Sequence, residues 1–136
     1  MKKNAAESFR KLEAVMRKLL SPEGCPWDKA QTHASLLKHL YEEADEAAGA
    51  VRKKDWHNLK EELGDILLQV VFHAELARRK RRFDLAGVVD GITKKLVRRH
   101  PHVFGGKKLS TPKEVLIQWE KIKKEEKSRP IKPKNR

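Results

Sequence analysis

Glu42-Glu43-Ala44-Asp45-Glu46 and, further along, Glu61-Glu62-Leu63-Gly64-Asp65 are the two acidic stretches on which the reading of this chain turns. Residues three or four apart share one face of an α-helix, so Glu43 neighbours Glu46 and Glu62 neighbours Asp65. Between the stretches lies Lys53-Lys54-Asp55, where the chain is expected to turn near position 54. Positions equidistant from the turn of an antiparallel helical hairpin sit level with each other. Position 43 is then set against 65 and 46 against 62, and four carboxylates converge at one height.

The helical wheel adds to this. At about 100° per residue, Glu43 falls beside Leu36 and Ala47, and Glu62 beside Leu59 and Ile66. Both therefore border stripes that should be buried. A carboxylate at an apolar edge is costly unless its charge is compensated, and four facing one another raise each other's pKa unless a cation sits among them. An all-oxygen set without cysteine or histidine suits Mg²⁺, with Mn²⁺ as a substitute. Such an ion binds phosphate oxygens and activates water, so phosphoanhydride hydrolysis is the natural chemistry. The bland alternative is a solvated acidic face, or surface pairs with Arg52 and Lys60 of little energetic worth.

Working outward, five helices and no strand are predicted. The first runs from about Ser8 to Leu20, with Phe9, Leu12, Val15, Met16 and Leu19 at helical spacing. Ser21-Pro22-Glu23-Gly24-Cys25-Pro26 ends it. The second spans about His33 to Lys53, with Leu36, Leu40, Ala44, Ala47 and Val51 as its apolar stripe, and the third about Trp56 to Arg79. The run Ile66-Leu67-Leu68-Gln69-Val70-Val71-Phe72 is apolar on nearly every side, which places it centrally or at a subunit contact. Asp84 can cap a fourth helix that His100-Pro101 stops, and Gly87 and Gly91 within it suggest close packing. Thr111-Pro112-Lys113-Glu114 reads as the capped start of a fifth, to about Lys127. The expected fold is all-α, an antiparallel bundle of about five helices over residues 1–127, with residues 128–136 a basic tail expected to be disordered.

A length of 136 residues allows one core. No apolar run approaches the roughly 18 residues of a membrane span. The N-terminal residues lack a signal-peptide pattern, and the single cysteine, Cys25, permits no internal disulfide. These features suggest a cytoplasmic protein. The net charge of +13 could attract nucleotides or nucleic acid. No basic stretch interleaved with aromatics supports single-strand binding, however, so nucleic acid is not the favoured partner.

The acidic stretches resemble the EExxE and ExxD motifs of the MazG-type nucleotide pyrophosphohydrolases. The resemblance extends to Gly24-Cys25-Pro26-Trp27-Asp28-Lys29-Ala30-Gln31-Thr32, to Arg98-Arg99-His100-Pro101-His102-Val103-Phe104-Gly105, and to Gln118-Trp119-Glu120-Lys121-Ile122-Lys123. These segments are most similar to the first domain of the family's tandem members. The resemblance implies an all-α fold that assembles as a homodimer or higher homo-oligomer. It also implies Mg²⁺-dependent cleavage of nucleoside triphosphates to monophosphate and pyrophosphate. Carried over by position, Glu43, Glu46, Glu62 and Asp65 hold the metal, and Glu42 stands beside them with a second metal or a water. No single general base is assigned.

Lys94, Lys95, Arg98 and Arg99 form i,i+4 pairs. Lys95, Arg98 and Arg99 are the candidates for neutralising a triphosphate, although basic residues also suit the end of a helix dipole. Trp27 is a candidate to stack on a nucleobase or, equally, to close the bundle over Pro26. His100, His102 and Cys25 lack the spacing of a zinc site. Trp56 and Trp119 read as core or interface. The rival function is a catalytically weak module of the same fold, holding nucleotide, nucleic acid or a protein partner through its basic surface.

Overall fold

The computed structural model describes residues 4–129, and among them every regular element is helical. In chain order they are α1 (Ala5–Leu19), α2 (Pro26–Lys29), α3 (His33–Arg52), α4 (Trp56–Arg79), α5 (Leu85–Arg99), α6 (Pro101–Phe104) and α7 (Pro112–Ser128). The all-α expectation holds. The five predicted helices are α1, α3, α4, α5 and α7; the short α2 and α6 are additional. Both begin on proline, which is preorganised for a first helical position, so segments read only as breakers each make one turn. Of the expected tail 128–136, Ser128 belongs to α7 and Arg129 is its C-cap; residues 130–136 lie outside those described. No described helix is long and apolar enough to cross a membrane.

The chain divides after Leu85 into two compact units. In the first, side chains fix where each long helix starts. Asn4 Oδ1 accepts from the Ala6 N–H at 2.9 Å, Thr32 and Ser35 form a reciprocal capping box, and Asp55 Oδ1 accepts from the Asn58 N–H at 3.1 Å. The turn between α3 and α4 falls where expected. Lys54 takes a left-handed conformation, φ 56°, and the Asp55 N–H returns to the Ala50 carbonyl at 3.0 Å.

Met16, Leu20, Leu36, Val71, Phe72, Ala74 and Leu85 form the buried core, flanked by Phe9, Leu12, Leu19, Leu67 and Leu76. Some expected core positions are not in it. Val15 and Val51 are half exposed, Ala44 is exposed, and Ala50 is buried in their place. The buried stripe of α3 is thus turned slightly, toward Ala47 and Ala50 and the same side as Glu43. Trp56 is exposed as well, which rules out a core role for it within this chain.

One carboxylate lies in the core because its surroundings neutralise it. Glu75 is 6% exposed and is gripped by Arg78 at 2.8 and 2.7 Å, by Arg79 at 3.0 Å and by Arg17 at 3.8 Å. Burial pushes its pKa up, but Arg78 and Arg79 together outweigh burial and hold it below the ordinary value.

In the second unit, α7 starts as its sequence predicts. The Thr111 hydroxyl accepts from the Glu114 N–H at 3.2 Å, and the Glu114 carboxylate accepts from the Thr111 and Ser110 hydroxyls. At Gly91, where close packing is expected, an added Cβ would meet nothing within 4 Å among the described residues.

Gly24 is different. A Cβ there would lie 2.0 Å from the Leu19 carbonyl oxygen, to which Cys25 also donates its N–H at 2.8 Å. Gly24→Ala should therefore cost about 2–3 kcal/mol in denaturant unfolding. Gly49→Ala, at an open mid-helix position of α3, should gain about 0.5–1 kcal/mol. Equal effects of the two would contradict this account of the α1–α2 turn.

Candidate metal centre

The α3–α4 hairpin brings one oxygen each of Glu43, Glu46, Glu62 and Asp65 within 4.8 Å of one another. The pairing follows the register set by the turn, because Glu43 lies against Asp65 and Glu62 against Glu46. Glu43 and Glu62 are half buried, whereas Glu46 and Asp65 are exposed, so the cluster opens to solvent on one side.

Among the described residues no lysine or arginine pairs with any of the four, Arg52 and Lys60 included. Glu43 Oε2 and Glu62 Oε2 are out of solvent and have no hydrogen-bond partner. The electrostatic consequence is large. Glu62 is pushed up to about 7, first by its close contact with Glu46, then by burial and the remaining carboxylates. Glu43 is also raised, by burial first and then by Asp65 and Glu46. Two buried oxygens lacking a donor, within a compact all-oxygen set, fit a hard divalent cation. They do not fit a soft metal that prefers thiolate or imidazole.

Glu42 is not brought into this set. Its carboxylate is exposed and lies 3.7 Å from His39 Nδ1, as Glu61 lies 3.6 Å from His57 Nε2. Both carboxylates lie at exposed positions of their helices.

Beside Glu43 is a cavity of about 210 Å³, lined by Trp27, Asp28, His39, Glu43, Gln69 and Phe72 among others. Trp27 is 56% exposed and meets the His39 ring edge-on, centroids 6.0 Å apart, so it borders an opening rather than sealing a core. Gln69 is 5% exposed, and its Oε1 has no partner. Asp28, His39 and Gln69 do not stand out as site residues in the sequence. For Gln69 a signal is present, since it is the one polar residue inside the apolar run Ile66–Phe72.

The remaining candidates lie in the second unit. Lys95 is exposed, with no partner among the described residues. Arg98 and Arg99 are both held by Glu126, at 2.5 and 2.7 Å, and Arg99 also lies 5.1 Å over the Trp119 ring. The two guanidiniums draw Glu126 down to about 2. A phosphate group would have to compete with that carboxylate for either arginine. His100 is engaged with the Leu96 carbonyl oxygen at 2.5 Å and with Trp119, not with a metal set.

Residues 31–104 match the MazG nucleotide pyrophosphohydrolase domain. The nucleoside triphosphate pyrophosphohydrolase/pyrophosphatase MazG of Thermotoga maritima is 48% identical over 93% of this chain and 48% of its own length. The nucleoside triphosphate pyrophosphohydrolase of Escherichia coli K12 is 44% identical over 87% of this chain and 45% of its own. The chain therefore spans about half the length of these curated relatives. A crystal structure of a mazG-related protein from Thermotoga maritima superposes with TM-score 0.68 at 34% identity, covering 85% of this chain and 98% of that one. With the domain match spanning more than half its length and the fold in agreement, this chain belongs to the MazG nucleotide pyrophosphohydrolase family.

Proposed function

We propose that the protein hydrolyses nucleoside triphosphates, ribo- or deoxyribo-, to nucleoside monophosphate and pyrophosphate, with Mg²⁺ held by Glu43, Glu46, Glu62 and Asp65. One water is consumed for each phosphoanhydride bond broken. The observation that carries this reading is the pair of buried, donorless oxygens, Glu43 Oε2 and Glu62 Oε2, in a cluster that no basic side chain among the described residues neutralises. The names of the Thermotoga maritima and Escherichia coli relatives describe the same reaction class.

A divalent cation at such a site supplies charge to bind phosphate oxygens and to acidify water. The protein's own residues do the rest. Glu43 and Glu62, half buried on the hairpin, and Glu46 and Asp65, exposed beside them, are the residues that would hold the cation. Trp27 offers an aromatic face to a base. The Gln69 amide, buried in the cavity wall, offers both a donor and an acceptor to a base edge. Leu63 and Val70, seven residues apart and exposed on one face of α4, are suited to a homodimer contact.

Pyrophosphate release from a panel of NTPs and dNTPs should require Mg²⁺, and Glu43→Gln should lower kcat/KM at least about a hundredfold with helicity retained. Absence of release from every triphosphate would refute the reading. Trp27→Ala should raise KM about tenfold while leaving kcat nearly unchanged, as expected for lost stacking; an unchanged KM removes Trp27 from the base site.

The raised carboxylates also set a pH dependence. A group whose folded pKa lies above its unfolded value stabilises the fold at low pH and loses that contribution as pH rises. For Glu62 the window runs from the ordinary value, 4.5, to about 7. Metal-free protein should become less stable across that window, and saturating Mg²⁺ should reverse the loss. Chemical denaturation between about pH 4.5 and 8, with and without Mg²⁺, checks this. A profile unchanged by Glu62→Gln would contradict it.

A further inference from the structure

On the first unit, a pair of histidines outside the carboxylate cluster joins α3 to α4. His33 Nδ1 and His73 Nδ1 are 2.7 Å apart, their rings are parallel within 9°, and the ring centroids are 5.0 Å apart. The nitrogens are far closer than the centroids, so the rings meet edge to edge, nitrogen to nitrogen. Such a contact holds one proton on the line between the nitrogens: one Nδ1 donates and the other accepts.

The second nitrogen of His73 decides which. His73 Nε2 is out of solvent and has no partner. A bare ring nitrogen tolerates that position, whereas an N–H there would be a buried donor with nothing to donate to. His73 therefore carries its proton on Nδ1 and donates to His33. His33, half exposed, accepts at Nδ1 and keeps its own proton on Nε2. Adding a proton at His73 Nε2 creates the unpartnered buried N–H. Adding it at His33 Nδ1 sets two N–H groups against each other, so His73 must move its proton to Nε2 or the contact must open.

No carboxylate rescues the charged form. On α4, Glu75 is taken by Arg17, Arg78 and Arg79; on α3, His39 faces Glu42; on α1, Glu13 pairs with Arg17. The influences on His73 are burial first and the His33 ring second, and both hold it below its ordinary value.

We propose that the His33–His73 hydrogen bond is a pH-sensitive latch that positions the segment 27–32, whose Trp27 and Asp28 line the cavity, against α4, closed at neutral pH and opened by acid. His33 is the first residue of α3, directly after its Thr32 cap. From there Ser35 Oγ donates to Gln31 Oε1 at 2.8 Å, and Gln31 Nε2 donates to the Trp27 carbonyl at 2.9 Å. On α4, Phe72 and Gln69, which also line the cavity, are one and four residues before His73. The bond thus ties one wall to the other, and His33 and His73 are positioning residues. The assignment of that cavity to substrate rests on the function proposed above; the latch itself does not.

The test is long-range ¹H–¹⁵N imidazole NMR on the metal-free protein across pH, with amide exchange of Ala30 and Gln31 measured on the same samples. The expected result is His73 protonated at Nδ1 and bare at Nε2, titrating below the ordinary histidine range. Exchange, corrected for its intrinsic rate, should rise about tenfold as His73 titrates. His33→Asn, whose amide oxygen can still accept from His73, should keep the tautomer and flatten that rise. If this variant does not fold, the wild-type tautomer and exchange decide alone. A proton on His73 Nε2, an ordinary titration, or exchange indifferent to it would overturn the latch. With active enzyme, KM should rise in acid in step with the exchange while kcat does not. Loss of turnover on all substrates would instead count against the proposed function, and the NMR result would still decide the latch.

Discussion

Four carboxylates held at one level of a helical hairpin, with nothing basic among the described residues to neutralise them, constrain everything else at this site. The tight turn at Lys53–Asp55 and the Asp55 cap fix the register of α3 against α4. Register in turn decides that Glu43 meets Asp65 and Glu46 meets Glu62. A slip of one residue on either helix would rotate each glutamate by about 100° away from its counterpart. Repulsion is inherent in that arrangement; a proton on Glu62 relieves it below about pH 7, and the proposed divalent cation would relieve it at higher pH.

The same chain shows what compensation by protein looks like. Glu75, also on α4, is more deeply buried than any member of the cluster, yet three arginines surround it and its pKa falls. Earlier on the same helix, Glu62 has no cation and its pKa rises to about 7. A protein with 32 lysines and arginines does not lack for positive charge. Among the described residues none of it reaches this one place, and the proposed ligand role of these carboxylates rests on that contrast. The second unit repeats the structural solution at Glu126, which binds Arg98 and Arg99 and leaves neither guanidinium free.

Much of this is legible in the sequence because it rests on periodicity and local chemistry. The boundaries of α3 and α4 follow from Thr32, Lys54 and Asp55, and counting from the turn places the facing carboxylates correctly. What the sequence hides depends on tertiary direction. The rotation of α3, which buries Ala50 and exposes Ala44 and Val51, is set by what packs against the helix and not by its own pattern. Proline-started turns at α2 and α6 are masked by residues that usually interrupt helices. The His33–His73 contact joins positions forty residues apart, each unremarkable in its own helix. Gln69 is visible as a polar residue in an apolar run, but only the cavity shows why it is there.

Titration with Mn²⁺ followed by electron paramagnetic resonance tests the central claim most directly, because it reads the cation site without relying on turnover. The account predicts one ion bound per cluster, displaced by Mg²⁺, and lost when Glu62 is changed to glutamine in a protein that remains folded. No binding by the wild type, or binding indifferent to Glu62→Gln, would contradict it.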